Sequence, residues 1–134
     1  MDSFDVETYR ARVEIRRSGN PVRTIKDRVI ELESPAMAHG IVMRALFSFS
    51  TSFNTWSGAT AAAGFFNDSD PLRPMLVGWF PEDEFPLWYD ILCHESPVKV
   101  LYTIRPINGA KYVSKIGVGT TDEPVGEGPA DMDA

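Results

Sequence analysis

"SPAMAHGIVMRALFSFSTSFNTW", residues 34–56, is the stretch on which the fold turns. Ser34 offers a hydroxyl to the free amides of a first helical turn, and Pro35 is tolerated there because that position has no intrahelical N–H bond to lose. Ala38, Ile41, Val42, Ala45, Leu46 and Phe49 then recur at the spacing that puts one apolar stripe on an α-helix. The spacing predicts a helix lying on a sheet. Its C-terminal end is undefined: Phe53 and Trp56 prolong the stripe, whereas Ser50, Thr51 and Ser52 favour helix weakly. Residues 45–67 alone do not choose between helix, strand and loop.

Working towards the N-terminus, Tyr9, Ala11, Val13 and Ile15 alternate with Arg10, Arg12, Glu14 and Arg16, the pattern of a half-buried strand. Ser18, Gly19, Asn20 and Pro21 supply turn chemistry, and Thr24, Ile25, Val29 and Ile30 return as a second strand. Val22, Ile25, Val29 and Leu32 also fit helical spacing behind Asn20, but the β-branched content favours a hairpin.

Towards the C-terminus, Asn67 to Pro71 reads as a turn and "LRPMLVGWF" as a short strand buried on both faces, kept near an edge at its start by Pro74. "PEDEFPLWYDILCHES" predicts a second helix, with Leu87, Ile91 and Leu92 as its buried stripe, Trp88 beside it, and Glu82, Asp83 and Glu84 at the positive end of its dipole. Pro97 ends it. "VKVLYTIRP" and "KYVSKIGVG" flank Asn108 and Gly109, a closing hairpin. The expected fold is therefore α+β in the order ββαβαββ, a mainly antiparallel five-stranded sheet with two helices packed on one face. Residues 1–120 form one domain, and 121–134 are expected to be a flexible acidic tail.

A chain of 134 residues fits one domain, and 43% hydrophobic residues with eight Phe, four Tyr and three Trp exclude a largely disordered protein. A single cysteine, Cys93, forms no internal disulfide, which points to a reducing compartment. "MDSFDVETYR" lacks the basic start and apolar core of a secretory signal, and no window of eighteen apolar residues exists. The expected location is the cytoplasm, with no membrane partner. The net charge of −6 is unevenly placed: residues 64–97 hold seven acids and one base, 98–120 four bases and no acid, and 121–134 five acids. This is not one uniform acidic surface.

Cys93, His94 and Glu95 are adjacent, but neighbours on a helix point about 100° apart and do not converge on a metal or a substrate. His39 is the other histidine, and no paired ligand spacing accompanies it. Glu82, Asp83, Glu84, Asp90 and Glu95 read as a solvated helix face. "GVGTTDEPVGEG" lacks the lysine of a phosphate-cradling loop. Arg10, Arg12, Arg16, Lys99, Arg105, Lys111 and Lys115 could form a basic sheet face, yet no aromatic RNA-binding motif accompanies them, so nucleic acid is not expected. No catalytic residue, metal ligand or cofactor is assigned, and ligand-binding residues are undetermined.

Ala45 to Asn67 is the longest uncharged run in the chain. One reading is core, with Phe49, Phe53 and Trp56 beneath the sheet. The other is contact: small polar groups, alanines and glycines suit a surface closely approached by another, where charges would be costly to desolvate. The expected interface residues are Phe53, Trp56, Phe65 and Phe66, with Glu82, Asp83 and Glu84 as a secondary acidic patch for a basic partner. The expected function is a small non-catalytic binding protein, homo-oligomeric, that engages or inhibits a partner protein, a class that includes immunity-type and phage counter-defence proteins. The alternative is a protein that binds or sequesters a small, nucleotide-like ligand in a pocket beside the uncharged segment or between subunits. There Trp56, Trp79 or Trp88 would stack on the ligand and an arginine would hold its anion.

Overall fold

A computed structural model describes residues 2–50 and 63–120. Eight strands form one mixed sheet: β1 (Asp2–Asp5), β2 (Thr8–Ser18), β3 (Arg23–Glu33), β4 (Arg44–Ser50), β5 (Gly64–Asn67), β6 (Met75–Pro81), β7 (Val98–Ile107) and β8 (Ala110–Thr120). Their spatial order is β1-β7-β8-β5-β6-β4-β3-β2, antiparallel throughout except for β4 beside β6. One α-helix, α1 (Phe85–His94), is present among the described residues. This corrects the expected five-stranded sheet with two helices and its ββαβαββ order: the chain is mostly strand.

The correction originates in residues 34–50. The Ser34 hydroxyl does not cap a helix; it accepts from the Met43 amide at 2.9 Å and donates to the Pro35 carbonyl at 2.8 Å, while the Ser34 amide bonds the Met43 carbonyl at 2.9 Å. This clasp closes a loop in which His39 (φ 63°) and Gly40 (φ 74°) take left-handed backbone that an α-helix cannot contain. Beyond it, β4 alternates strictly, with Ala45, Phe47 and Phe49 buried and Arg44, Leu46, Ser48 and Ser50 on the opposite face. Burial between β3 and β6 overrides the helical spacing. β6 is likewise interior rather than marginal. Pro74 precedes it, so no ladder amide is lost, and the Pro74 carbonyl accepts from Arg44 at 3.0 Å.

The two expected hairpins form. β2 pairs β3 from Thr8↔Glu33 to Ser18↔Arg23, and β7 pairs β8 around Asn108 (φ 50°) and Gly109 (φ 83°), the pair of positive φ values that matches strand twist. Asn67 and Asp70 make the predicted turn by accepting from Ser69 and Leu72 amides.

β1 and β2 lie at opposite ends of the strand order, yet only Val6 and Glu7 separate them. The step from Asp5 to Thr8 spans at most about 10 Å, so the sheet must curl until its edges meet. The Val6 amide bonds the Val98 carbonyl and the Glu7 amide bonds the Glu33 carbonyl, both at 2.9 Å. One bent segment therefore leaves the β7 edge and joins the β3 edge, as corner strands do where sheets turn on themselves.

α1 lies on the concave side and fills it. Trp88 and Leu92, one turn apart, enter the core, whereas Leu87, expected in the buried stripe, is 67% exposed. The Trp88 ring centroid is 4.5 Å from Phe80, 5.2 Å from Phe47 and 5.7 Å from Phe49. Phe85 meets Phe49 edge-on at 5.5 Å, and Tyr9 of β2 meets Tyr89 edge-on at 6.2 Å. The Tyr9 hydroxyl also lies 3.3 Å from Cys93 Sγ, and this hydrogen bond pushes the phenol pKa up to about 12. Trp88→Ala should lower the stability measured by chemical denaturation by about 3–5 kcal/mol, whereas Leu87→Ala should cost less than about 0.5 kcal/mol.

Candidate interaction surface

β5 is only four residues long but carries two of the expected anchors. It approaches β6 so closely that a Cβ on Gly64 would sit 1.8 Å from the Val77 carbonyl oxygen, a position only glycine can occupy. Because side chains alternate, the next two residues diverge. Phe65, opposite Val77 and Tyr112, lies on the convex face at 37% exposure, its ring 5.3 Å from Trp79. Phe66 turns to the core side and stacks on Tyr102 with centroids 6.0 Å apart and planes within 10°. Phe53 and Trp56 lie outside the described residues.

Phe65, Phe66, Asp68, Lys111 and Tyr112 line an open cleft of about 460 Å³ between β5, its following turn and the β7–β8 turn. Lys111 pairs with Asp68 across the cleft and reaches to 5.9 Å from the Phe66 ring centroid. The lysine's hydrogen bond holds the Asp68 carboxyl below the usual range. Such a cleft offers an apolar wall, a phenol and a cation already engaged by a carboxylate. Sequence reasoning missed Tyr112 and named Lys111 only as one cation of a possible basic sheet face; the one signal that joins them is their place just after the Asn108–Gly109 turn.

The remaining candidates are dispersed. Glu82, Asp83 and Glu84 form a single 3-10 turn leading into α1, with only Asp83 fully exposed, and none of the three caps the helix through its side chain. Arg28 lies over the Phe85 ring beside them, at 5.3 Å. Cys93 turns to Tyr9 while His94 turns to Asp90 at 3.4 Å, so the two do not converge. Among the described residues no three His, Cys, Asp or Glu side chains gather as a metal site requires. Of the seven cations read as a basic face, Arg10, Arg12, Arg16, Lys99 and Lys111 are ion-paired within the chain. No helix of the described residues is long and apolar enough to cross a membrane.

β2 departs from expectation in its exposure. Its apolar residues share a face with the buried Ile30 and Leu32 of β3, yet Val13 is 57% and Ile15 66% exposed. Val13 and Ile15 stand opposite Arg28 and Lys26 of β3 in the last strand of the order, and among the described residues β4 lies beside β3 from Asp27 to Glu33, which includes the partner of Val13 but not that of Ile15. On the other face Glu31 accepts from Arg10 at 2.8 Å and pairs with Arg12 at 2.6 Å, and Arg12 also holds Glu14 at 2.6 Å. The hydrogen bond from Arg12, with the charge of both arginines, keeps the Glu31 carboxyl below its ordinary range. A lowered folded pKa stabilises above the unfolded value, and the benefit disappears as pH falls through the folded value. Glu31→Gln should therefore cost about 0.5–1 kcal/mol at pH 7, as surface pairs do. In urea denaturation the difference from wild type should hold above about pH 5, begin to shrink as the pH falls below the ordinary glutamate value of about 4.3, and vanish only below the lowered folded value.

No protein-family model, curated protein or solved structure matches this chain.

Proposed function

We propose that the chain is a small, non-catalytic binding protein that self-associates, and that it engages or inhibits a partner protein through the convex aromatic face of β5, β6 and β8. The observation that carries this reading is Phe65. Its ring is supported by Trp79, opposes Tyr112 across the ladder and remains more than one-third exposed, the arrangement of an aromatic anchor fixed before contact. Burying a ring of this kind against another protein removes apolar area from water at little cost in side-chain entropy. The acidic turn Glu82–Glu84 offers a second contact for a basic partner. Cys93 is an exposed thiol, which fits a reducing compartment such as the cytoplasm. Light scattering over a concentration series should give a mass that is a multiple of the protomer's 14.9 kDa; a strictly monomeric protein up to millimolar concentration would overturn the self-association.

The cleft lined by Phe65, Phe66, Tyr112 and Lys111 favours one alternative, a planar anionic ligand such as a nucleotide. Under that reading a nucleotide panel raises the melting temperature by several degrees, and Lys111→Ala abolishes the shift. An unchanged melting temperature across the panel at millimolar ligand rules it out.

A further inference from the structure

β2 is an eleven-residue strand hydrogen-bonded on one side only: β3 covers one edge, and among the described residues no strand covers the other. Long open edges in folded proteins are normally guarded by a bulge, a proline or a charge pointing into the apolar face. β2 has none of these between Tyr9 and Ile15. Its register with β3 is unbroken, and its charges in that span, Arg10, Arg12 and Glu14, all lie on the face opposite Tyr9, Ala11, Val13 and Ile15. Val13 and Ile15 on that unguarded face are themselves exposed.

We propose that β2 is the contact through which two copies of this chain associate, pairing antiparallel along their free edges about a two-fold axis at Val13. This rests on the self-association proposed above and assigns its contact, leaving the Phe65 face to the partner protein. The side-chain pattern selects both occupant and register. Because strand residues alternate with period two, apolar meets apolar only when the two residue numbers have the same parity. With Val13 opposite its own counterpart, the whole of β2 from Thr8 to Ser18 is paired, Ala11 faces Ile15, and Arg12 faces Glu14 twice, once on each side of the axis. A shift of two residues one way places Arg12 against Arg12. A shift the other way places Glu14 against Glu14 and Arg12 against Arg16, and like charges directly opposite are destabilising. The Val13 register does set Arg10 against Arg16, but each already holds a carboxylate, Glu31 and Asp27 respectively, at 2.8 Å. The pairing would join two curled sheets edge to edge and continue the apolar strip of Val13 and Ile15 from one copy into the next, an isologous contact that closes as a dimer.

The test is sedimentation of the full chain as wild type, Val13→Lys and Phe65→Lys. Val13 is more than half exposed, so the substitution leaves the protomer folded, which circular dichroism at dilute concentration checks. The proposal expects Val13→Lys to raise the dimer dissociation constant at least tenfold and Phe65→Lys to leave it unchanged. Wild-type dimers that survive Val13→Lys but dissociate on Phe65→Lys would overturn the β2 assignment while sparing self-association; a monomeric wild type overturns both. As a second readout, Val13→Cys in a Cys93→Ser background should give a disulfide-linked dimer on mild oxidation, since residues opposed across an antiparallel pair have Cα atoms about 4.5–5.5 Å apart. Val22→Cys, 70% exposed in the hairpin turn, should give none. Equal linkage at both positions would mark random collision and sink the register.

Discussion

Five aromatic rings, Phe47 and Phe49 from β4, Phe80 from β6, and Phe85 and Trp88 from α1, meet within centroid distances of 4.5 to 5.7 Å, and the rest of the molecule is arranged around them. The parallel pairing of β4 with β6 puts Phe49 level with Phe80 and Phe47 level with Gly78, where a missing side chain leaves room for neighbouring rings. A Cβ on Gly78 would sit 2.9 Å from Ile116 Cδ1 and 3.0 Å from the Phe80 ring, so that space is already used. Rings at these separations, mostly tilted or edge-on, gain quadrupolar attraction in addition to their buried area. α1 is thus held by its own side chains entering a sheet, with Trp88 touching three of the sheet's rings, Phe47, Phe49 and Phe80.

Closure of the sheet follows from a second constraint, the two-residue link between edge strands. Val6 and Glu7 carry the chain from the β7 edge to the β3 edge, each donating its amide to one of those strands. α1 then occupies the concavity, and its Tyr89 and Cys93 meet Tyr9 at the start of β2. Past that point β2 continues beside β3 as the last strand in the order, and among the described residues β4 flanks β3 as far as Asp27. The exposed apolar strip of β2 lies at the end of the strand order, with β3 between it and the aromatic cluster on β4, β6 and α1.

Two surfaces of different chemistry result. On the convex face a fixed aromatic, Phe65, stands between Trp79 and Tyr112 on neighbouring strands, beside a cleft whose one cation is engaged by Asp68. At the open edge, aliphatic side chains alternate with a ladder of paired arginines and glutamates. Those charges are paired with one another within the chain.

The sequence by itself determined the two hairpins, the turn at Asn67–Asp70, strand β6 and the existence of α1, because each rests on local signals: alternation, Gly and Asn at positive φ, Asx turns, and acids before a helix. It could not settle residues 34–50, where helical spacing and strict alternation coexist in "ALFSFS". Only placement between β3 and β6 chose the strand, together with a Ser34–Met43 clasp that no local propensity signals. It also could not place β1 and β5, each four residues long, since strands so short form only where neighbours supply both hydrogen bonds and a wall. The same limit holds for the surface. Aromatic residues near 65 were legible as candidates, but which of Phe65 and Phe66 faces outward depends on the register of β5 with β6, and the exposure of Val13 and Ile15 depends on the place of β2 at the end of the strand order. Local chemistry writes the elements, whereas which faces remain uncovered is set by the lengths and neighbours of strands distant in the chain.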